Sequence, residues 1–393
     1  MQIESVDFYY LSMPEVHDIG DGSQDALLVR VQAGPYVGWG ECEASPLVSI
    51  ASLVCPMSHS ACKPVIASVL GQSLDSVADI ARITRLVQAN SMDLLQAAHT
   101  LSGIDIALWD LLGRRYEQPV YRLLGFAASH PKTPYASQLF GDTPAATYTK
   151  AVAIRTAGFR AAKFGWGPFG LGSVHDDAAQ LHAAREGLGS DVALLVDVGT
   201  VWGEDVAAAT ERLAAMHQCR VMWIEEPFVS GALGAYKHLS QRAAPTKLAA
   251  GEGCHDVHSA LQMIAHAGLG YIQIDAGRIG GISAAHRVAL AAQQCGVHYV
   301  NHTFTSDLAL SASLQPYAGM QEHVICEYPI ELKPLAQELT TTRLVRDADG
   351  MLTAPDAPGL GMEPDLVALE HYLVDVEIRV QGKLLYQTPT LRA

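Results

Sequence analysis

The stretch VMWIEEPF, residues 221–228, decides how the chain is read. A mostly apolar run gives way to two acids and a proline, the pattern of a strand buried on both faces that ends where the backbone must turn. ALLVDVG (193–199) precedes it and KLAAGEG (247–253) follows it, each again an apolar run that ends at an acid. Asp197, Glu225 and Glu252 are thus spaced 28 and 27 residues apart, which is one strand plus one helix each time.

Working outward, PYASQLFG (134–141), RAAKFGWG (160–167), YIQIDAGR (271–278), HYVNHTF (298–304) and VICEYPI (324–330) share this texture. Every strand candidate but the last is followed by a helix-length amphipathic segment. Eight strands alternating with helices predict a parallel α/β architecture, and the count favours a closed (β/α)8 or (β/α)7β barrel of the TIM type. A doubly wound sheet lacks support, because no G-x-G-x-x-G follows the first strand.

The first third reads as α+β. Gln2 to Leu11 and Ala26 to Gln32 alternate like antiparallel strands, the second followed by GPYVGWGE, whose glycines read as turns. The polar stretch Pro14 to Gln24 reads as a mobile loop, and ASPLVSIASLVCPMSHS (44–60) as a second irregular segment. Helical periodicity is clearest in HTLSGIDIALWDLLGRRY (99–116), where Leu101, Ile104, Ala107, Leu108, Leu111 and Leu112 share a face and Gln118-Pro119 ends the helix. After about residue 340, the alternating LVDVEIRVQ (373–381) predicts a segment that packs back on the N-terminal domain. The expected domains are 1–130 as an α+β capping unit, 131–340 as the barrel, and 341–393 as the returning segment.

Of 393 residues, 26 are Lys or Arg and 41 are Asp or Glu, for a formal charge of −15. That excess repels nucleic acid, and no basic run offsets it. The N-terminus lacks the basic start and apolar run of a secretory signal, and no stretch reaches the roughly 20 apolar residues of a membrane span. Seven scattered cysteines, odd in number and never spaced C-x-x-C, argue against a disulfide framework and a structural zinc site. The expectation is a soluble, cytoplasmic protein.

In a barrel the active site lies at the C-terminal strand ends. Singly, an acid such as Asp197 after a strand reads as a helix N-cap. Three acids on adjacent strand ends, however, converge and repel unless a cation intervenes. All-oxygen ligation favours Mg²⁺, one per site, with Asp197, Glu225 and Glu252 as ligands. Asp275 and His302 end the next two strands, from which a carboxylate can hold an imidazole in one tautomer. Glu327 ends the eighth. On the second strand Lys163 points to the same side as Gly165.

These residues carry a resemblance. GWGE, SGIDIALWDLLGR, VDVG, WIEEP, AGEG, IDAGRIGGIS, VNH and PGLG, in that order, resemble landmarks of the enolase superfamily, specifically its mandelate racemase branch. The resemblance runs nearly end to end. It implies Mg²⁺ on the three acids, His302 oriented by Asp275 as acid/base, Glu327 hydrogen-bonded to an enediolate oxygen, a small-molecule carboxylate as substrate and a homo-oligomer. Members begin by removing the proton α to a carboxylate. The muconate-cycloisomerase branch uses a lysine at the end of the sixth strand, where the nearest basic residue here is Arg278, a poor base.

One departure bears on mechanism. The family's second strand usually carries Lys-x-Lys, but here the run is Lys163-Phe164-Gly165. Two-base racemisation is therefore disfavoured. The expected reaction is a one-base β-elimination, in which His302 takes the α-proton and returns a proton to a departing hydroxyl, turning an aldonate or aldarate into a 2-keto-3-deoxy acid. The alternatives are a racemase or epimerase using Lys163 and His302 on opposite faces, and a catalytically silent ligand-binding member. His17 and His59 lie in the two capping-domain loops, where a histidine is ordinarily just exposed. Because such loops close over the barrel in the resembled family, both are candidate substrate contacts, together with Trp166 and Arg278.

Overall fold

The computed structural model describes residues 1–392. The N-terminal unit is an antiparallel sheet of β1 (Ile3–Ser12), β2 (Asp25–Ala33) and β3 (Tyr36–Cys42), in that order. GWGE is thus part of a third strand and not a turn. Its glycines serve close approach instead: a Cβ at Gly38 would fall 2.0 Å from the Ala107 carbonyl oxygen, and one at Gly40 2.1 Å from that of Gly103. The helix Ala97–Tyr116 therefore lies directly on the strand backbone, and it is buried well beyond the one face that its periodicity marks. Its inward polar groups are bonded; Asp110 accepts from the backbone N–H of Trp39 at 2.9 Å and of Leu360 at 2.8 Å.

The segment 44–60, expected to be irregular, opens with a helix, Pro46–Val54. Proline is compatible with the first turn, where its missing N–H has no intrahelical acceptor. Ile50 and Leu53 then anchor the helix in the core.

The barrel strands are β4 (Thr133–Leu139), β5 (Ala161–Gly165), β6 (Ala193–Asp197), β7 (Val221–Glu225), β8 (Lys247–Ala250), β9 (Tyr271–Asp275), β10 (His298–His302) and β11 (Ile325–Pro329). They run parallel; β4 to β10 pair successively, and β11 pairs with β4. Seven fall inside the stretches that the sequence marks, and β4 begins one residue before its own. Among the described residues only the short α-helices Pro334–Glu338 and Leu366–Leu369 follow β11, which makes the architecture (β/α)7β.

Side chains close the seam between β10 and β11. Oδ1 of Asn301 accepts from the backbone N–H of Glu327 at 2.9 Å and from the Tyr317 hydroxyl at 2.9 Å, while a Glu327 carboxylate oxygen accepts from the N–H of Thr303 at 2.8 Å. Beneath the mouth, Tyr135, Leu195, Trp223, Ala249, Val300 and Ile325 fill the interior as a separate apolar plug.

The C-terminal segment returns to the first domain. The backbone N–H of Val374 donates to the carbonyl of Tyr10 at 2.8 Å, and the Tyr386 hydroxyl donates to that of Phe8 at 2.6 Å. A hairpin of β12 (Glu377–Val380) and β13 (Lys383–Gln387) forms its end. Among the described residues all seven cysteines are free, and no helix is long and apolar enough to cross a membrane.

Candidate active site

Strand ends deliver the expected groups to one mouth. Asp197 closes β6, Glu225 closes β7, Asp275 closes β9 and His302 closes β10, while Glu252 stands in the turn just after β8. A cavity of about 270 Å³ opens there. Lys163, Gly165, Trp166, Asp197, Glu252, Arg278 and His302 line its barrel side, and Ile19 to Gly22 of the first capping loop cover it.

His302 sits between two carboxylates. Its Nδ1 lies 2.7 Å from Oδ2 of Asp275 and its Nε2 3.1 Å from Oε2 of Glu252. Burial alone would lower its pKa, but Glu252, Glu43, Glu327 and the bond to Asp275 outweigh burial and hold it well above the ordinary histidine value. Asp275 is in turn fixed by the backbone N–H of Gly277 at 2.6 Å.

Lys163 lies in mid-strand on β5 and is buried. Its Nζ is 2.5 Å from Oε1 of Glu225, 2.8 Å from Oε1 of Glu327 and 3.9 Å from Oδ2 of Asp197. Burial would lower its pKa, yet these carboxylates raise it well above the usual lysine value, so it is an ammonium. Glu327 falls in the middle of β11, not at its end, and is fully buried. From there it holds Lys163 and accepts from the Ser137 hydroxyl at 2.8 Å.

Gly165 carries more than an absence. A Cβ there would meet Asp197, 2.8 Å from its Cβ and 2.9 Å from its Oδ2. The place that a second lysine would occupy is filled by an acid.

The three acids suit a hard divalent cation by chemistry. All donors are oxygens, and Asp197 and Glu225 are buried. Burial, and then the like charges of Glu225 and Glu252, push Asp197 well above the usual carboxylate range, with Lys163 opposing them. That is a demand for positive charge. In the chain alone their oxygens point partly elsewhere: Glu225 accepts from Lys163 and from Trp223 Nε1 at 3.0 Å, and Glu252 faces His302. The tightest acid–imidazole group is a different one. Glu43, Asp275 and His302 each bring a ligand atom within 4.8 Å of the others.

Glu43 is the residue that sequence reading misses. Its signal was present, since ECE (41–43) puts two acids on one side of a strand end and both are buried. Arg278 donates to Glu43 Oε1 at 2.5 Å and lies 3.8 Å from Glu252. Glu226, beside the β7 acid, accepts from the N–H of Gly251 at 2.9 Å, a structural bond. Trp166, 42% exposed and at positive φ, packs its ring between Gly20 and Gly199 and so links the capping loop to the barrel. His17 and His59 do not line the cavity. His17 lies 3.8 Å from Glu15 and His59 3.3 Å from Asp93, and both are about half exposed.

Residues 16–125 match the model of the mandelate racemase / muconate lactonizing enzyme N-terminal domain, and residues 147–368 match the enolase C-terminal domain-like model. The chain is 30% identical to a D-galactarolactone cycloisomerase of Agrobacterium fabrum over 285 residues, 69% of this chain and 73% of that protein. It is 30% identical to an L-talarate/galactarate dehydratase of Salmonella typhimurium over 276 residues, 67% of this chain and 63% of that protein. The crystal structure of a predicted mandelate racemase from Rhodobacter sphaeroides is 58% identical, with a TM-score of 0.95 over 99% of this chain and 100% of that one. The barrel, its capping sheet and both domain matches agree, and the chain belongs to the mandelate racemase/muconate lactonizing enzyme family of the enolase superfamily.

Proposed function

We propose that the protein is a Mg²⁺-dependent dehydratase of an acid sugar, an aldonate or aldarate, with His302 as the single group that moves protons. The observation that carries this reading is the one-sidedness of the mouth. His302 faces the cavity from β10, whereas across the barrel position 165 has no side chain, its place is taken by Asp197, and Lys163 is held among Glu225, Glu327 and Asp197. Two bases on opposite faces of a carbanion are not on offer.

Asp197, Glu225 and Glu252 would hold the cation, which supplies Lewis-acid polarisation of the substrate carboxylate and so acidifies the α-proton. Lys163, on the cavity wall, places a fixed positive charge beside that carboxylate, and Glu327 keeps the ammonium in place. With Glu252 committed to the cation, the carboxylate that most favours the imidazolium would be withdrawn from Nε2 of His302; Nε2 then takes the α-proton, with Asp275 stabilising the imidazolium from Nδ1. The electron pair of the broken C–H bond forms the C=C bond, the β C–O bond breaks, and the imidazolium returns its proton to the leaving hydroxyl as water. The enol then tautomerises to a 2-keto-3-deoxy acid. The galactarate-directed activity of the Salmonella relative supports this substrate class. With a ring oxygen as leaving group the same step would open a lactone, the substrate type named for the Agrobacterium relative.

The test is a panel of aldonates, aldarates and their lactones with Mg²⁺, read for 2-keto product and for deuterium entering the α-carbon from D₂O. Keto acid that disappears in His302→Asn is the expected result. Product formation that survives the substitution overturns the role of His302. Deuterium exchange with configurational scrambling and no keto acid would favour a racemase.

A further inference from the structure

Glu43 belongs to the capping domain, one residue past β3, yet its side chain is only 4% exposed and lies in the barrel mouth. The chain fixes it from several sides. Its backbone N–H donates to the Gly277 carbonyl at 3.2 Å, and its own carbonyl bonds Nε2 of His99. A Cβ at Gly277 would come within 2.8 Å of the Glu43 nitrogen and 3.3 Å of its Cβ, so that glycine lets the Glu43 backbone come close.

Its carboxyl group then meets the acid–imidazole pair. Oε1 takes the Arg278 guanidinium at 2.5 Å, and that guanidinium lies 3.9 Å from Oδ2 of Asp275; Oε2 stands 3.8 Å from Nδ1 of His302, and Glu43, Asp275 and His302 each bring an atom within 4.8 Å of the others. Burial pushes Glu43 up to about 7 against the pull of Arg278. For Asp275, burial is outweighed by the bonds from Glu43 and His302, which bring it below the usual value. Behind the group remains a void of about 10 Å³, room for one water at most, so Asp275 has nowhere to retract.

We propose that Glu43 is a positioning residue for proton transfer: from the capping domain it clamps Asp275, and through it holds the His302 imidazole in the orientation that reaches the α-proton. Docking of the two domains has other contacts beside it. Glu41, on the same side of the strand, already bonds the Ser306 hydroxyl at the exit of β10. The capping domain thus supplies part of the proton-transfer apparatus as well as the cover over the substrate. This inference rests on the reading of His302 as the proton-moving group.

The experiment compares Glu43→Ala and Glu43→Gln in the Mg²⁺-loaded enzyme, with galactarate and galactonate as probes. Glu43→Ala is expected to lose roughly 100-fold in kcat and in α-deuterium exchange, with KM within about threefold of the parent. Glu43→Gln is expected to recover to within about fivefold, because its amide keeps the length of the side chain against Asp275 and His302 and its oxygen still accepts from Arg278. A readout without substrate accompanies both: in 15N-histidine-labelled protein the low-field Nδ1–H resonance of His302 should vanish in the Ala variant and persist in the Gln variant. Unchanged kcat and resonance in Glu43→Ala, a loss confined to KM, or equal losses in both variants overturn the proposal. Should Glu43→Ala fail to fold, Glu43→Asp withdraws the carboxyl from Asp275 by one methylene, and an unchanged resonance there overturns it equally. His302→Asn run in parallel separates the two ideas: activity in that variant removes the reading of His302, whereas activity in Glu43→Ala beside an inactive His302→Asn removes only this one.

Discussion

A β-carbon at Gly165 would stand 2.8 Å from the β-carbon of Asp197. The glycine is thus part of how an acid is seated, and restoring the lysine is expected to displace that acid. Gly165→Lys should weaken Mg²⁺ binding at least about tenfold by calorimetry, as disturbed ligand support does elsewhere. It should lower dehydration and bring no epimerisation, checked by chiral analysis of recovered substrate. A variant that keeps its metal affinity and scrambles the α-centre would sink the one-base reading.

His302 is held from both ring nitrogens, by Asp275 at 2.7 Å and Glu252 at 3.1 Å. His302→Asn should lower kcat by about 10³-fold or more while Mg²⁺ still binds, since no cation ligand is removed. Asp275→Asn leaves the ring in place but presents an amide to Nδ1, so a loss of about 10²-fold is expected. Steady-state kinetics together with metal titration checks both. Equal kcat in parent and Asp275→Asn would deny the acid its orienting part.

The eight barrel strands are legible because each is a short apolar run, four of them closing on an acid or a histidine, and that pattern is local. What escaped depends on how distant segments meet. GWGE looked like a turn since its glycines were credited with conformational freedom, when their use is to let helix Ala97–Tyr116 lie on the strand. Pro46 and several serines hid the helix Pro46–Val54, because these residues also mark loops. Glu327 was placed at a strand end from spacing, but β11 runs on to Pro329 and leaves the acid below the rim, against Lys163. Glu43 reaches Asp275 and His302 only because two domains dock, a relation that no interval within either domain encodes.

Metal removal should abolish activity. Without the cation, Asp197 is left to its burial and to the like charges of Glu225 and Glu252, which only Lys163 opposes. Chelation with EDTA is expected to leave no measurable keto acid, and Mg²⁺ or Mn²⁺ should restore it. At 100 times the dissociation constant the ion should add about 2.7 kcal/mol to stability, seen as a midpoint a few degrees higher on thermal melting. Full activity in metal-free enzyme would remove the three acids from the role proposed for them.

Asp105 predicts a pH dependence of stability that comes from the domain joint and not from the site. It projects from the capping helix Ala97–Tyr116 and accepts from the backbone N–H and hydroxyl of Ser283, at 3.0 and 2.6 Å, in the first turn of the barrel helix Ile282–Cys295. That helix has Gly281 at its N-cap, where a Cβ would fall 2.2 Å from the Asp105 carboxylate, so the capping oxygen is supplied from the other domain. Burial is the largest influence on the carboxyl and pushes it up to about 7 from an ordinary value of 3.8, with the Ser283 bonds opposing. A folded-state pKa above the unfolded one means that the folded chain binds more protons between these two values. Stability from this group is therefore complete below about pH 4 and is lost as pH rises to about 7, beyond which the loss is constant. At about 1.4 kcal/mol per unit, the swing is a few kcal/mol. Asp105→Asn keeps an acceptor for the Ser283 N–H and cannot ionise. The difference in unfolding free energy between this variant and the parent should thus shift in the variant's favour from pH 4 to pH 7 and level off above it. A difference that stays flat across that window in urea titrations would show that the acid stays charged at the joint throughout.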